Sequence, residues 1–185
     1  MPTIFTHIAV PLALGLGLGH RLISRRLLLA GVVAAVLPDL DVVGFRFHIA
    51  YGDAFGHRGF SHSLMFALMI GLAAACFAPL LRSGRATTFA FVAFATMSHG
   101  LLDMFTNGGL GVALWWPFST QRLFAAWQVI EVAPIGLARL LSGRGLVVVR
   151  SELLWVWLPA VLTCASIWAV RRSVCRAEPS DVISR

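Results

Sequence analysis

Long apolar runs alternate with short polar segments along most of the chain. The runs lie at residues 4–19, 27–45, 64–81, 86–104 and 153–170. A membrane-spanning helix needs about 20 consecutive apolar residues, and most of these runs approach that length. The first run is short, rich in glycine and interrupted by Pro11, as expected of a tilted or broken span or of a helix lying partly in the interface. The pattern predicts an all-α, polytopic membrane protein with about four to six helical segments.

The rest of the chain is less regular. Residues 123–141 are apolar but contain Glu131, Pro134 and Arg139, which predicts an interfacial or half-inserted helix. Residues 177–185 are polar and predict a disordered tail. Residues 1–176 are expected to form a single membrane-embedded helical domain, because no internal repeat divides them.

The composition favours a membrane protein over a soluble one. Of the 185 residues, 58% are hydrophobic and 12% are charged, whereas soluble domains carry about 25% charged residues. The 15 basic residues are all arginine, and the net charge of +7 raises nucleic acid as a partner. The arginines cluster between apolar runs, however, as they do in cytoplasmic loops of membrane proteins, so we expect no nucleic-acid partner.

The arginine clusters also predict the orientation of the chain. If each apolar run crosses the membrane, the clusters at residues 21–26, 82–85 and 171–176 share one side, which the positive-inside rule makes the cytoplasm. The segment 105–152 then lies outside, although it carries arginines of its own. If residues 123–141 form a further span, the tail changes sides, and this alternative stays open.

Histidine and aspartate residues gather at one end of these predicted spans. In this topology, metal-ligating residue types from separate segments fall on the non-cytoplasmic side, whereas His20 falls on the opposite side. Scattered structural residues have no reason to coincide in this way, and ionisable groups at membrane depth mark functional sites by default. The sequence therefore predicts one metal site near one membrane face, formed from His7, Asp39, Asp41, His57, His62, His99 and Asp103.

The spacings within this set agree with shared ligation. His99 and Asp103 lie one turn apart on one helix face, so both can reach one ion, unless they form only a buried hydrogen-bonded pair. His57 and His62 flank the segment RGFS, in which Gly59 permits a tight turn that brings the two imidazoles together. The alternative for these two histidines is that they are polar loop residues at the headgroups.

The aspartates of the LPDLD segment follow a helix-breaking proline. With the helix bent at Pro38, Asp39 and Asp41 can face one cation as ligands, or one of them can act as general base. Alternatively they only end a span, with Asp39 capping the next turn. His7, a lone histidine near the start, carries less weight. Mixed imidazole and carboxylate ligands suit zinc first, with manganese or iron as alternatives, and their number allows one or two ions.

A few further polar residues lie close to this pattern. Arg58, between the two histidines, is expected to bind a phosphate or carboxylate of a substrate, or else to snorkel to water. Ser61 and Ser98 each precede a histidine and could orient it. Glu131 is a candidate late ligand or general base, although a solvated face suits it better.

Five segments taken together resemble a known family. FTHIAVPLALG, LPDLD, HRGFSHS, SHGLLDMFTNGG and WWPFS occur in an order similar to that of the YdjM-like membrane-bound metal-dependent hydrolases, over residues 3–120. The combination of PDLD, HRGFSH and SHGLLD is specific, whereas each alone is weak. The resemblance implies a metal-dependent hydrolase of a bacterial inner membrane, with ligands at the His and Asp positions named above. The pattern is also similar in style to the all-helical zinc-dependent phospholipases C, a distant analogy that identifies no substrate.

These features predict metal-assisted hydrolysis near the lipid headgroups. The expected cofactor is a divalent metal ion, and the expected partners are membrane lipids and a lipid-like or other small-molecule substrate, for example a phosphoester. Asp39, Asp41 and Arg58 are the candidate catalytic residues. A metal or proton transporter, or a metal sensor, is the alternative, although such a pathway should place ionisable residues at several depths. The sequence leaves the oligomeric state open.

Overall fold

The fold is a set of packed helices joined by loops. The computed structural model describes residues 1–133 and 143–177. Within them the α-helices are α1 (Ala9–Leu18), α2 (Arg25–Val36), α3 (Leu64–Cys76), α4 (Arg85–Met104), α5 (Gly143–Glu152) and α6 (Leu158–Ala177). The 3-10 helices Leu37–Phe47 and Phe60–His62 and the π-helical turn Leu153–Trp157 extend them. The described residues contain isolated backbone bridges but no β-strand, so the all-α prediction is confirmed for this part of the chain.

Local sequence signals fix where several helices begin and end. The Ser24 hydroxyl accepts a hydrogen bond from the Leu27 N–H and caps α2, and the Ser63 hydroxyl caps α3 in the same way through Phe66. Pro38 lies at the start of the 3-10 helix that continues α2. Because proline has no N–H and clashes with the preceding turn, the regular helix gives way there, and the PDLD aspartates sit on the tighter helix.

Close packing of α4 against α2 and α3 forms the main apolar core. A Cβ atom on Gly71 of α3 would lie 2.7 Å from the Cβ of Ala93 on α4, so only glycine permits this approach. Leu27 of α2 packs against Phe91 and Val92 of α4, and all three side chains are buried. This packing holds the far ends of α2 and α4 side by side, where their polar motifs lie.

The helices place the arginine clusters at residues 21–26, 82–85 and 171–176 at one end of the molecule, called the arginine end below, and the His and Asp motifs at the other. The Arg26 guanidinium donates a hydrogen bond of 3.0 Å to the carbonyl of Leu80, so the start of α2 meets the loop between α3 and α4. The Arg171 guanidinium near the end of α6 fills the space beside Gly19, which follows α1. At the opposite end, a hydrogen bond joins the ends of α2 and α4 that carry PDLD and SHGLLD.

The helix lengths support the predicted spans in part. Arg25–Phe47 and Gly143–Val174 are long and apolar enough to cross a membrane, by length and composition. The shorter apolar helices are Ala9–Leu18 and Leu64–Cys76. At 1.5 Å per residue these two would cover about 15 and 20 Å, against a hydrocarbon core of about 30 Å. The runs at 4–19 and 64–81 therefore form apolar helices that are shorter than a full span.

The region after α4 differs from the prediction. Residues 123–133 form no helix, because hydrogen bonds pair them with the loop before them: Val112 N–H donates to Leu123 at 2.9 Å, and Asn107 N–H to Ile130 at 3.0 Å. The predicted interfacial helix over 123–141 is wrong for this part, and residues 134–142 lie outside the described residues. The C-terminal helix begins at Gly143, well before the apolar run at 153–170. Residues 178–185 of the predicted disordered tail lie outside the described residues.

Candidate metal centre

Ligand atoms from distant parts of the chain converge at the end opposite the arginine clusters. We call Asp39, His62, His99 and Asp103 the central cluster; one ligand atom of each lies within 4.8 Å of the others, and all four residues are buried. The Nε2 atom of His99 is 3.1 Å from that of His62 and 3.3 Å from Asp39 Oδ1. Asp103 Oδ2 is 3.4 Å from His62 Nε2. Ligands about 2.0–2.1 Å from a tetrahedral zinc ion are about 3.3 Å apart, so these spacings fit one small cation.

Three structural elements position these residues. His99 and Asp103 lie one turn apart on α4, as their spacing predicted. Asp39 lies on the 3-10 helix that follows Pro38, and His62 ends the short 3-10 helix before α3. The structure thus brings together residues that lie up to 64 positions apart in the sequence, as the numbers of Asp39 and Asp103 show (103 − 39).

His7 completes the cluster from the segment before α1. Its ring stacks on that of His99, with centroids 3.6 Å apart and planes 12° from parallel. Its Nε2 atom lies 3.9 Å from Asp39 Oδ2 and 3.8 Å from Asp103 Oδ1. His7 therefore lies at the edge of the central cluster, beside the second oxygen of each carboxylate.

Several buried polar atoms in this cluster have no hydrogen-bond partner. They are both ring nitrogens of His7 and both carboxylate oxygens of Asp39 and Asp103, although an ion pair with Arg58 reaches Asp103. Burying unpaired polar atoms is costly, so native structures satisfy nearly all of them. One oxygen of each carboxylate lies within 4.8 Å of the ring nitrogens of His62 and His99, and this mixture of imidazole and carboxylate suits zinc, manganese or iron. The residues present therefore fit a divalent metal ion.

The rings of His99 and His62 each form a hydrogen bond through Nδ1, the nitrogen that faces away from the centre of the cluster. These bonds show that Nε2 faces the centre with a lone pair. His99 Nδ1 lies 2.7 Å from the carbonyl of Ala35, so it carries the proton and Nε2 is bare. His62 Nδ1 lies 3.2 Å from Asp41 Oδ2 and 3.0 Å from the Ser61 hydroxyl, which assigns its Nε2 in the same way. Two lone pairs 3.1 Å apart repel, so a cation, either a proton or a metal ion, must lie between them.

The two carboxylates beside His62 favour the protonated form of its ring. Burial by itself lowers the pKa of His62, but the contacts with Asp103 and Asp41 outweigh this effect and raise the pKa to about 9. A divalent ion would displace the added proton, because metal ligands bind in their deprotonated form.

Asp41 and His57 lie beside the central cluster and form an outer pair. The Nδ1 atom of His57 is 2.6 Å from Asp41 Oδ1. Asp41 Oδ2 accepts hydrogen bonds from the Ser61 hydroxyl at 2.6 Å and from the Arg58 backbone N–H at 3.2 Å. Asp41, His57 and His62 are also close enough together to hold an ion. The direct 2.6 Å contact, however, leaves no room for a metal between the two atoms that it joins, since ligands of one ion lie about 3.3 Å apart.

Comparison with known proteins places this geometry in a family. The YdjM inner membrane protein family matches residues 1–174. The chain belongs to this family. It is 49% identical over 173 residues to the protein named inner membrane protein YbcI of Escherichia coli (strain K12), which covers 93% of this chain and 100% of that one. No solved structure matches the chain. The family match confirms the resemblance and extends it well beyond residue 120.

Arg58 of this YdjM-family chain is buried and paired with Asp103, which its position in the sequence did not indicate. It is fully buried, so the interpretation as an arginine that snorkels to water is wrong. Its Nε lies 2.9 Å from Asp103 Oδ2, and its other nitrogens donate to the Gly108 carbonyl at 2.8 Å and the Thr106 hydroxyl at 2.9 Å. All three side-chain nitrogens of Arg58 therefore already contact protein groups. Direct contact with a substrate anion stays a prediction.

The other polar candidates divide between the site and the surface. Ser61 contacts both Asp41 and the ring of His62, as an orienting residue should. Ser98 instead donates to the carbonyl of Ala95, one turn back on its own helix, so its predicted orienting role is wrong. Glu131 pairs with the exposed Arg144 at 2.7 Å and lies apart from the cluster. Its interpretation as part of a solvated face agrees with this position.

Two buried residues of the site region were missed by sequence reasoning. Thr106 accepts from Arg58 and donates to the carbonyl of Asp103, so it fixes both partners of the ion pair. Glu152 is buried at the end of α5 and accepts hydrogen bonds from Thr3 and Thr6. The available signal for Glu152 was its place as an acidic residue directly before a long apolar run.

Gly100 supplies a test of how closely α4 must approach the HRGFSH segment. A Cβ at this position would lie 2.5 Å from the carbonyl oxygen of His62. We expect Gly100→Ala to lower the free energy of unfolding by about 1–3 kcal/mol, because overpacking forces the backbone apart, and to weaken zinc binding by displacing His62. Unfolding and zinc titration in detergent measure both effects. Gly84→Ala is the matched control, since its nearest neighbour is 3.8 Å away; equal losses in the two variants would contradict the prediction.

Proposed function

We propose that this protein is a metal-dependent hydrolase of the bacterial inner membrane. The proposed ligands are the central cluster, Asp39, His62, His99 and Asp103, together with His7. The observation that carries the proposal is the convergence of buried, unpaired carboxylate oxygens and bare imidazole nitrogens on one point. The donor set favours zinc, with manganese or iron as alternatives. When bound, such an ion polarises the scissile group and lowers the pKa of a bound water.

The outer pair has the arrangement of a proton-transfer group. Asp41 engages Nδ1 of His57, so the Nε2 atom of that ring remains for a reacting proton. His57 is 5% exposed whereas His7 and His99 are 0% exposed, and Asp41 beside it is only half-buried, so this side of the cluster is the nearest to solvent. We assign His57 Nε2 the removal of a proton from the attacking water, with Asp41 holding the ring in position.

The position of the cluster favours an amphipathic substrate. At this end of the molecule, loops, turns and the end of the 3-10 helix expose large aromatic side chains, among them Phe5, Phe47, Phe55, Phe118 and Trp127. Aromatic residues of this kind concentrate at the membrane interface. The arginine-bearing end then faces the cytoplasm by the positive-inside rule, and the site lies on the non-cytoplasmic side of a multi-pass protein. A lipid or lipid-like phosphoester would reach such a site from the headgroup layer.

Hydrolysis of lipid phosphoesters by the purified, zinc-loaded protein tests this proposal. Vesicles of anionic and zwitterionic phospholipids serve as substrates, beside a soluble phosphoester. We expect zinc-dependent turnover that chelation removes, and His57→Asn should lower it about a hundredfold, within the range of general-base catalysis, while zinc stays bound. His48→Asn is the matched control, because His48 is exposed and its left-handed backbone (φ 59°) accepts asparagine.

Two results would contradict the proposal. One is a zinc-loaded protein that hydrolyses none of these esters. The other is zinc flux into proteoliposomes without hydrolysis, which would favour the transporter alternative. Against a transport pathway, the buried polar residues of the described part of α4 between its start and His99 are Thr88, Thr96 and Ser98, with no carboxylate or imidazole among them.

A further inference from the structure

We propose that Glu152, on the C-terminal helix, is a positioning residue that holds His7 in the metal centre. The proposal rests on the metal centre described above and adds a part to it. Glu152 belongs to none of the motifs that carry the ligands, and it lies 145 positions from His7, as the two residue numbers show (152 − 7). Its side chain nevertheless binds the residue that directly precedes His7.

The contacts of Glu152 form a clasp around the N-terminal segment. Oε2 accepts hydrogen bonds from the hydroxyls of Thr3 at 2.7 Å and of Thr6 at 2.8 Å. Oε1 accepts from the backbone N–H of Thr3 at 2.5 Å. The indole of Trp157 donates to the Thr6 hydroxyl at 3.3 Å. Hydrogen bonds to an ionised carboxylate are roughly twice as strong as neutral ones, so this clasp fixes the backbone on which His7 sits.

His7 depends on its backbone more than the other central histidines do. The far nitrogen of His99 bonds to Ala35, and that of His62 bonds to Asp41 and Ser61. Neither ring nitrogen of His7 has a hydrogen-bond partner, and its ring is in contact with that of His99 by stacking. Metal-binding histidines almost always have a partner that orients the ring. For His7 the clasp at the neighbouring Thr6 does this through the backbone.

The burial of Glu152 and the helix geometry beside it favour a functional role for this residue. Glu152 is 4% exposed and ends α5, immediately before the π-helical turn Leu153–Trp157. Ionisable residues buried in a membrane-embedded helix are costly, and π-helical turns concentrate at functional sites. Close by, Ala9 of α1 packs on Ile130 and Val156, so the clasp lies where the start of α1 meets the C-terminal helix.

A double-mutant cycle in the full-length, detergent-purified protein tests this role. Zinc affinity is measured by competition with a chromophoric chelator for the wild type, Glu152→Ala, His7→Ala and the double variant. We expect Glu152→Ala to weaken zinc binding by about 10–100-fold, the usual effect of removing a residue that orients a ligand. In the His7→Ala background the same substitution should change the affinity less than twofold, because the residue through which Glu152 acts is already absent.

Control variants separate this effect from a general loss of structure. Glu131→Ala removes a carboxylate that pairs with exposed Arg144 and should leave zinc affinity unchanged. Glu152→Gln keeps one acceptor oxygen for the clasp and should retain more affinity than Glu152→Ala. If Glu152→Ala does not fold, Thr6→Val replaces it in the cycle, because it removes the bonds of the Thr6 hydroxyl to Glu152 and Trp157 with little change of shape.

The outcomes distinguish this inference from the proposed function. Zinc bound normally by Glu152→Ala, or a Glu152 effect of the same size with and without His7, would overturn the positioning role and leave the metal centre intact. A wild-type protein that binds no zinc would overturn both.

Discussion

Replacing His99 with alanine should remove the metal ion from the purified protein and reduce hydrolysis to background. His99 contributes its Nε2 atom at the centre of the cluster, 3.1 Å from His62 and 3.3 Å from Asp39. Losing a residue that only orients a ligand weakens metal affinity by about 10–100-fold, so losing a central ligand should exceed 100-fold. At that affinity the ion dissociates during purification. His62→Ala should behave in the same way.

Elemental analysis of detergent-purified protein measures this effect directly. Wild type, His99→Ala and His62→Ala are compared after identical loading and gel filtration. His20→Ala is the control, because His20 is exposed and precedes α2 at the opposite end of the molecule. Near-stoichiometric zinc, manganese or iron that disappears in both cluster variants and stays in the control is expected. A metal content that neither cluster substitution changes would contradict the proposal that the central cluster binds the ion.

The sequence predicted those parts of the fold and site that depend on local spacing. The apolar runs correspond to helices because burial of apolar side chains requires their backbone groups to be paired within the segment. His99 and Asp103 were placed on one face because four residues make about one helical turn. Pro38 marked the change of helix that presents Asp39, since the effect of proline acts on the preceding turn. None of these inferences needed knowledge of a distant contact.

The parts that sequence reasoning missed depend on tertiary contacts. Asp41 looked equivalent to Asp39, yet the backbone N–H of Arg58 and the Ser61 hydroxyl bind its carboxylate and turn it toward His57. Glu152 carried no prediction, because nothing local connects it to Thr3. The segment 123–133 looked helical by composition, but its hydrogen bonds go to the loop before it. In each case the deciding partner lies many residues away, where periodicity gives no information.

Arg58 illustrates the same limit and carries the largest expected effect on stability. We expect Arg58→Leu to lower the free energy of unfolding by about 3–5 kcal/mol, because removing one partner of a buried ion pair leaves the other charge uncompensated. The loss should appear in metal-free protein, where Asp103 keeps its carboxylate but has no guanidinium at 2.9 Å. Denaturant unfolding in detergent, with chelator present, measures it.

The backbone at Arg58 is strained, and Arg82 provides a control with the same residue type in a similar backbone conformation. Arg58 has a φ of 62°, in the left-handed region that branched and bulky side chains rarely adopt. Arg82 has a φ of 52° but is exposed. Arg82→Leu therefore makes the same change in the same backbone conformation without breaking a buried ion pair, and it should cost about 0.5 kcal/mol or less. A similar cost for both variants would assign the effect to the backbone. A large difference would show that the guanidinium of Arg58 holds Asp103 at the edge of the metal centre, so that the protein's stability and its capacity to bind a cation depend on the same carboxylate.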